Sequence, residues 1–308
     1  MAQCNDDPFS FDAIQLQTQP ERRGMHRLDD GEQIQRPDAF DDLCQGLLLQ
    51  ARIDRIVHGF EGEGQGPATL VIFGFRFHGL NEKRRFKEAV INITFQDEQK
   101  RRHHRYDPEV ISLWPNGMFT LGEPTVVELE SRREGKVRAE VTAGGAGVVQ
   151  GGARAAYKWE TTKSFKRLDR AILVGSMTLD TTVRHEGGNN LVRLTISENH
   201  AAASGIVTDL RAAVLLRRKN DDDTFTASVR FKAKADFRYD CVRGVRDILG
   251  FSPPNGPVRF KPGVQYLRPP TLGDEMESRL AASIDANKLN AARLNELAGI
   301  LSATVLAI

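Results

Sequence analysis

The chain has 308 residues, 40% of them hydrophobic, with 43 Lys and Arg against 41 Asp and Glu. That length can bury one large core or two modest ones without external staples, and the balanced charge excludes a whole-chain field directed at nucleic acid or an anionic membrane. The three cysteines, Cys4, Cys44 and Cys241, are odd in number and far apart, which argues against a disulfide framework and a thiolate zinc site.

The opening "MAQCNDDPFSFDAIQLQTQPERRG" has no basic segment followed by an apolar run, and no later window approaches ~18 uninterrupted apolar residues. The expectation is a cytoplasmic protein without stable membrane insertion. Residues 1–42 are polar and poor in aromatics, so they are expected to form a disordered tail. From about Gln45 the period becomes two, the mark of half-buried strands. "TLVIFGFRF" sets Val71, Phe73, Phe75 and Phe77 on one face, and "AVINITF" does the same with Ala89, Ile91, Ile93 and Phe95. The turns between them, "EGEGQGP" and "WPNG", carry hairpin chemistry.

Further strands are predicted at Thr125–Glu130, Val137–Val141, Ala153–Thr161, Arg170–Thr181, Leu191–Ser197 and Arg211–Lys219. The clearest alternation is "TFTASVRFKAKADF", where Phe225, Ala227, Val229, Phe231, Ala233, Ala235 and Phe237 share a face. No helices interleave, so the fold class is mainly β: an antiparallel β-sandwich of jelly-roll or Greek-key type over 43–239. After Phe237, "DCVRGVRDILG" reads as a short helix, and Asp274 is the N-cap candidate of a last helix carrying Leu294, Leu297 and Leu301. Residues 240–308 are thus expected to form a helical extension packed on the sandwich or on another subunit.

Five glycines fall between Gly144 and Gly152, inside "AEVTAGGAGVVQGGARAAYKWETT". A phosphate cradle needs a strand feeding a helix, and the alternating segment that follows here is β-like. Small or apolar residues at odd positions from Val141 to Trp159 give instead a pliable hairpin, which also resembles the amphipathic hairpin of a pore-forming protein. "KRRHHRY" could hold an anion through Arg101 and Arg102, but acidic neighbours make a solvated loop the plainer reading. His103 and His104 are adjacent and would point to opposite sides of a strand, so no metal is expected, nor any cofactor.

No G-x-S-x-G or H-E-x-x-H is present. The catalytic candidates are His58 with Asp54, His78, and Glu198 with His200 in "SENH"; Trp114, Tyr157 and Trp159 are candidate ligand contacts. Asp169 and Asp180 stand at strand ends, where turn and cap roles are ordinary.

The phrases "DPEVISLWPNGMFTL", "AAYKWETT", "LRAAVLLRRK" and "ILGFSPPNGPVRF" together resemble a group of β-rich proteins of filamentous fungi with no established activity. The resemblance spans roughly residues 45–260. It implies a fungal protein of a lineage-specific or metabolic setting and carries over no functional residue. The leading reading is a non-catalytic sandwich that binds a small apolar ligand or a protein partner, with homo-oligomerisation open and nucleic acid excluded. One alternative is a cofactor-independent isomerase, cyclase or hydratase of fungal secondary metabolism. A second is a β-pore-forming protein that inserts the hairpin Ala139 to Thr162.

Overall fold

The computed structural model describes residues 34–44, 47–79, 84–138, 156–235, 256–266, 279 and 282–302. In chain order the strands are β1 (Asp38–Cys44), β2 (Leu47–Phe60), β3 (Pro67–Gly79), β4 (Phe86–Asp97), β5 (Glu109–Trp114) and β6 (Gly117–Arg138). They continue as β7 (Ala156–Thr178), β8 (Leu191–Ser197), β9 (Asp209–Arg217), β10 (Phe225–Ala235) and β11 (Val258–Phe260), and one helix, α1 (Ala291–Ser302), follows. They form two antiparallel sheets, a five-stranded one in the order β1-β2-β3-β9-β5 and a six-stranded one in the order β11-β10-β4-β8-β7-β6. The mainly β, sandwich-like class read from the sequence is the class observed.

Alternation builds the core between the sheets. Val71, Phe73, Phe75 and Phe77 of β3 meet Ile91, Ile93 and Phe95 of β4 and Phe225, Ala227 and Phe231 of β10. The rings fit edge to face, as in Phe75 against Phe231 at 6.0 Å and 76°, or stacked, as in Phe225 on Phe260 at 4.8 Å. The opposite residues of β3 and β9 are also buried. Ala68, Leu70, Ile72, Ala213 and Leu215 pack under Leu289, Leu294, Leu297 and Leu301. A strand covered on both faces reads as a continuous apolar run, which is why "ATLVIFGF" and "LRAAVLL" look hydrophobic throughout.

One local irregularity sets the register of β2 on β3. In β2, Ile53 faces Phe73 but Arg55 faces Ile72, so Asp54 is an extra bulged residue. The bulge switches the inward set from Leu47, Leu49, Ala51 and Ile53 to Ile56, and without it Ile56 would turn away from the core. At the end of β2 the chain approaches the C-terminal segment closely. Phe60 N donates to Ala286 O at 2.8 Å and Leu289 N to Phe60 O at 2.8 Å.

The ends of the domain differ from the expectation. β1 starts at Asp38, inside the stretch 1–42 expected to be a tail, and pairs residue by residue with β2. An edge strand needs only a backbone ladder and one sheltered side chain, here Ala39, so its acidic composition disguises it. β11, within 240–308, is a strand on β10 rather than helix. The helix predicted at "DCVRGVRDILG" and its neighbour's cap Asp274 lie outside the described residues. The N-cap of α1 is Asn290, whose Oδ1 accepts Arg293 N at 3.1 Å. α1 packs on the five-stranded sheet, one of the two placements expected for it.

The main departure lies in β6 and β7. The sequence divides this region into four short strands, whereas the structure holds two strands of 22 and 23 residues paired along their length.

A Cβ on Gly59 would lie 1.8 Å from Ala286 O. Gly59→Ala is therefore expected to push the α1 segment off the sheet and cost about 1–3 kcal/mol, the usual penalty of overpacking. Urea unfolding measures it, and a wild-type midpoint would contradict this account of the junction.

Candidate functional site

The sandwich gives β7 a neighbour on each side only over part of its length. β8 pairs with it from Ile172↔Ser197 to Thr178↔Leu191. Beyond Ala171, β7 pairs with β6 alone, from Thr125↔Asp169 to Arg138↔Ala156. This two-stranded ribbon projects from the six-stranded sheet, and at about 3.3 Å per residue it is roughly 45 Å long. Both of its edges lack a strand neighbour among the described residues, so they present unpaired backbone donors and acceptors.

The register pairs odd-numbered with odd-numbered positions, for example Leu129↔Phe165, Gly135↔Trp159 and Val137↔Tyr157. The sequence alternation of the two strands is thereby in step. Odd positions from Gly135 to Trp159 include no charged residue, while even positions carry Glu134, Lys136, Arg138, Glu140, Arg154, Lys158 and Glu160. The glycine cluster at 144–152 lies outside the described residues.

The base of the ribbon is built as a junction. Leu121 faces Ala171 and Thr125 faces Asp169, so Gly122, Glu123 and Pro124 stand opposite Arg170 alone. Gly122 has φ of +69°, and Pro124 offers no N–H, so the ladder is interrupted on the β6 side. On the β7 side the missing third strand is replaced by the loop after β8. Asn199, 5% exposed, donates its Nδ2 to Thr125 Oγ1 at 2.9 Å and to Asp169 O at 3.2 Å. Ala201 N donates to Asp169 Oδ2 at 2.8 Å. The amide oxygen of Asn199 accepts Ala201 N and Ala202 N, both at 3.1 Å, so one side chain shapes the loop and grips both ribbon strands. Glu198, 3% exposed, ties that loop to the body through Arg85 Nε and Gly205 N, each at 3.0 Å.

The residues singled out in the sequence have other employment. Asp54 is buried and accepts Arg52 Nε at 2.9 Å and Arg211 Nε at 2.8 Å, so both oxygens are occupied. His58 does not meet it. Its Nδ1 lies 2.9 Å from Thr69 Oγ1 and its Nε2 2.8 Å from Gln35 Nε2. The amide donates to Nε2, so the proton sits on Nδ1 and faces the threonine hydroxyl. Burial, helped by the nearby Arg218, lowers the His58 pKa to about 4. His78 is exposed on β3. His200 is largely exposed, 4.0 Å from Glu198 Oε1.

The basic loop is equally committed. Arg101 forks onto Asp97 at 2.9 and 2.8 Å, reaches Asp223 at 2.9 Å, and lies over the Tyr106 ring. The Asp97 hydrogen bonds raise the arginine pKa further. Arg102 is exposed, and its carbonyl accepts Arg184 Nη1 at 2.7 Å. Trp114 packs between the two apolar clusters, and Tyr157 and Trp159 belong to the ribbon. Of the candidate pairs the structure brings together His200 and Glu198, whose contact is long and at the surface, and it separates His58 from Asp54. A hollow open to solvent lies between β3, β9 and the segment leading into α1, lined by Leu70, Leu215, Ile284, Leu289, Leu294 and Leu297.

Sequence reasoning passed over Asn199, Thr125 and Gly122. The signal for Asn199 was its place directly after a strand, in a turn, between the two residues that were considered.

No protein family and no curated protein matches this chain. Among solved structures it is similar to the Clostridium perfringens NetB toxin in the membrane inserted form, at 8% identity and a TM-score of 0.24, over 64% of this chain and 82% of that one. A structure described as a pore forming protein aligns at 8% identity and a TM-score of 0.30, over 64% of this chain and 77% of the other. No helix among the described residues is long and apolar enough to cross a membrane, which says nothing of strands.

Histidine 58 generates a pH dependence. It is neutral in the folded state down to about pH 4, whereas an unfolded-chain histidine binds its proton near 6.5. The unfolded state therefore holds the extra proton between those values, so stability is full above pH 6.5 and falls as the pH drops toward 4. The loss is on the order of 3 kcal/mol at most. Denaturation midpoints measured across pH 4–7 in wild type and His58→Gln check it; the same slope in both would refute the assignment.

Proposed function

We propose that the protein is a non-catalytic, membrane-acting β protein of the pore-forming kind, whose ribbon β6–β7 is the inserting element. The observation that carries this reading is the ribbon itself: two strands in register, projecting past every other strand, with a charge-free odd-numbered set running from Gly135 to Trp159. Lipid-crossing strands alternate apolar and polar residues over about 9–11 positions, flanked by aromatic residues at the interface. Tyr157 and Trp159 stand at one end of the charge-free set. This reading departs from the expectation of no stable membrane insertion, which rested on helices.

The same physics demands more than one copy. Hydrocarbon offers no hydrogen-bond partner to a free strand edge, so a lone ribbon cannot reside there. Ribbons from several chains must join edge to edge and close, β6 of one beside β7 of the next. The enclosed polar side then receives the charged even-numbered positions.

A second reading keeps one observation of its own. Where β6 borders the sandwich, its free edge carries Met118, 72% exposed, and Phe119, 38% exposed. That edge also suits a protein partner that adds a strand, the leading sequence reading.

Full-length protein is expected to release carboxyfluorescein from phosphatidylcholine–phosphatidylserine vesicles. Val137→Lys should lower the release at least tenfold with an unchanged far-ultraviolet spectrum, because a lysine on a lipid-facing strand position costs about 2–4 kcal/mol at the bilayer midplane. Wild-type protein that releases no dye at neutral pH, at acid pH or after limited proteolysis sinks the pore reading and leaves the partner reading.

A further inference from the structure

The junction between ribbon and sandwich has parts that plain sheet continuation would not need. β7 could have gone on pairing with β8, yet β8 ends at Ser197 and a side chain takes over the next rung. β6 could have kept its ladder, yet three residues bulge opposite one, with a glycine at positive φ and a proline among them. One strand is interrupted and the other is held by a clip.

We infer that Gly122–Pro124 is a hinge and that Asn199, with Asp169 and Thr125, is the latch that holds it. The latch consists of hydrogen bonds to both ribbon strands: Asn199 Nδ2 to Thr125 Oγ1 and to Asp169 O, and Ala201 N to Asp169 Oδ2. Glu198 fixes the loop that presents Asn199, through Arg85 at the start of β4 and through Gly205. The latch therefore connects the ribbon to the β4 edge of the body, not merely to its own strand. The groups it frees are amides, a carbonyl, a hydroxyl and a carboxylate, which water can satisfy, and none of Asn199, Thr125 and Asp169 belongs to the apolar cluster between the sheets. A ribbon freed this way can change its angle to the sandwich as one unit, keeping its own register.

This inference rests on the ribbon being the working element, and it adds what restrains it. Asn199 acts as a positioning residue in this scheme. Its removal should loosen the ribbon base without loosening the body.

Amide hydrogen exchange on the full-length protein in solution tests the latch without a membrane. Asn199→Ala, and the milder Thr125→Val, should speed exchange at the ribbon base, Thr125 to Val127 and Arg167 to Asp169, about tenfold, as the loss of one or two local hydrogen bonds implies. Exchange in β3 and β9 should stay at wild-type rates. Equal acceleration throughout would mean general destabilisation, and no acceleration at the base would mean no latch; either overturns the inference.

A second experiment joins latch to action. In a background with Cys4, Cys44 and Cys241 changed to Ser, the double variant Thr125→Cys with Asn199→Cys is oxidised to a disulfide and added to the dye-loaded vesicles. Release is expected to be blocked at least tenfold and restored by dithiothreitol. Release from the oxidised protein at the reduced rate overturns the latch even though the pore reading stands. A silent wild type with base-specific exchange in the variants removes the pore reading and leaves the latch.

Discussion

Backbone hydrogen bonding governs this molecule, because every strand residue brings a donor and an acceptor that something must satisfy. Inside the sandwich the ladders run from β2 to β3 to β9 and from β10 to β4 to β8, interrupted by single register shifts at Ile53/Arg55 and Lys234/Ala235. The ribbon breaks that rule: past Asp169, among the described residues, each of its strands has one strand neighbour. Natural sheets blunt such edges with short strands, charges or cover. A run of roughly 45 Å left open is costly to keep in water as an aggregation hazard, so it makes sense as an edge reserved for pairing.

The five-stranded sheet is held by a buried charge set of its own. Arg52 lies across β3 above Gly74, where any Cβ would sit 2.8 Å from its guanidinium. From there it joins Asp54 and Asp209, while Arg211, opposite Gly74 in β9, closes on the other oxygen of Asp54. Removing one partner of such a buried set leaves an uncompensated charge at about 3–5 kcal/mol, although the intact set contributes far less than that. Its value is registry, since it fixes the bulge that turns the inward set of β2. Of the titratable groups that looked catalytic, Asp54 and His58 are engaged in bonds that join strands or anchor neighbouring segments.

Much of the body was legible because period two survives wherever one face is wet. β10 was read residue by residue, Phe225 to Ala235, and its alternation is the one observed. The double burial of β3 and β9 blurred their alternation, yet their composition still read as strand. β1 and β11 escaped because an edge strand with polar residues, or one of three residues, carries almost no periodic signal. α1 was seen through Leu294, Leu297 and Leu301, but its cap Asn290, whose side-chain oxygen accepts Arg293 N, was not, because asparagine in a loop looks like any turn residue.

The ribbon was half legible, and the missing half is instructive. The alternation from Val141 to Trp159 was recognised, but charges such as Arg132, Arg133 and Glu134 and the bulge at Gly122–Pro124 looked like ends of strands. Charges end a strand only when the strand must be buried. Here the backbone ladder runs on through them, with Glu134 opposite Glu160 and no turn between. The same holds for Asn199, which a sequence shows as one more turn residue beside His200. Its meaning comes from where β8 stops, and that is a property of two strands distant in sequence. The ribbon leaves its trace in the topology before it leaves one in the residues, because what marks it among the described residues is the lack of a third strand.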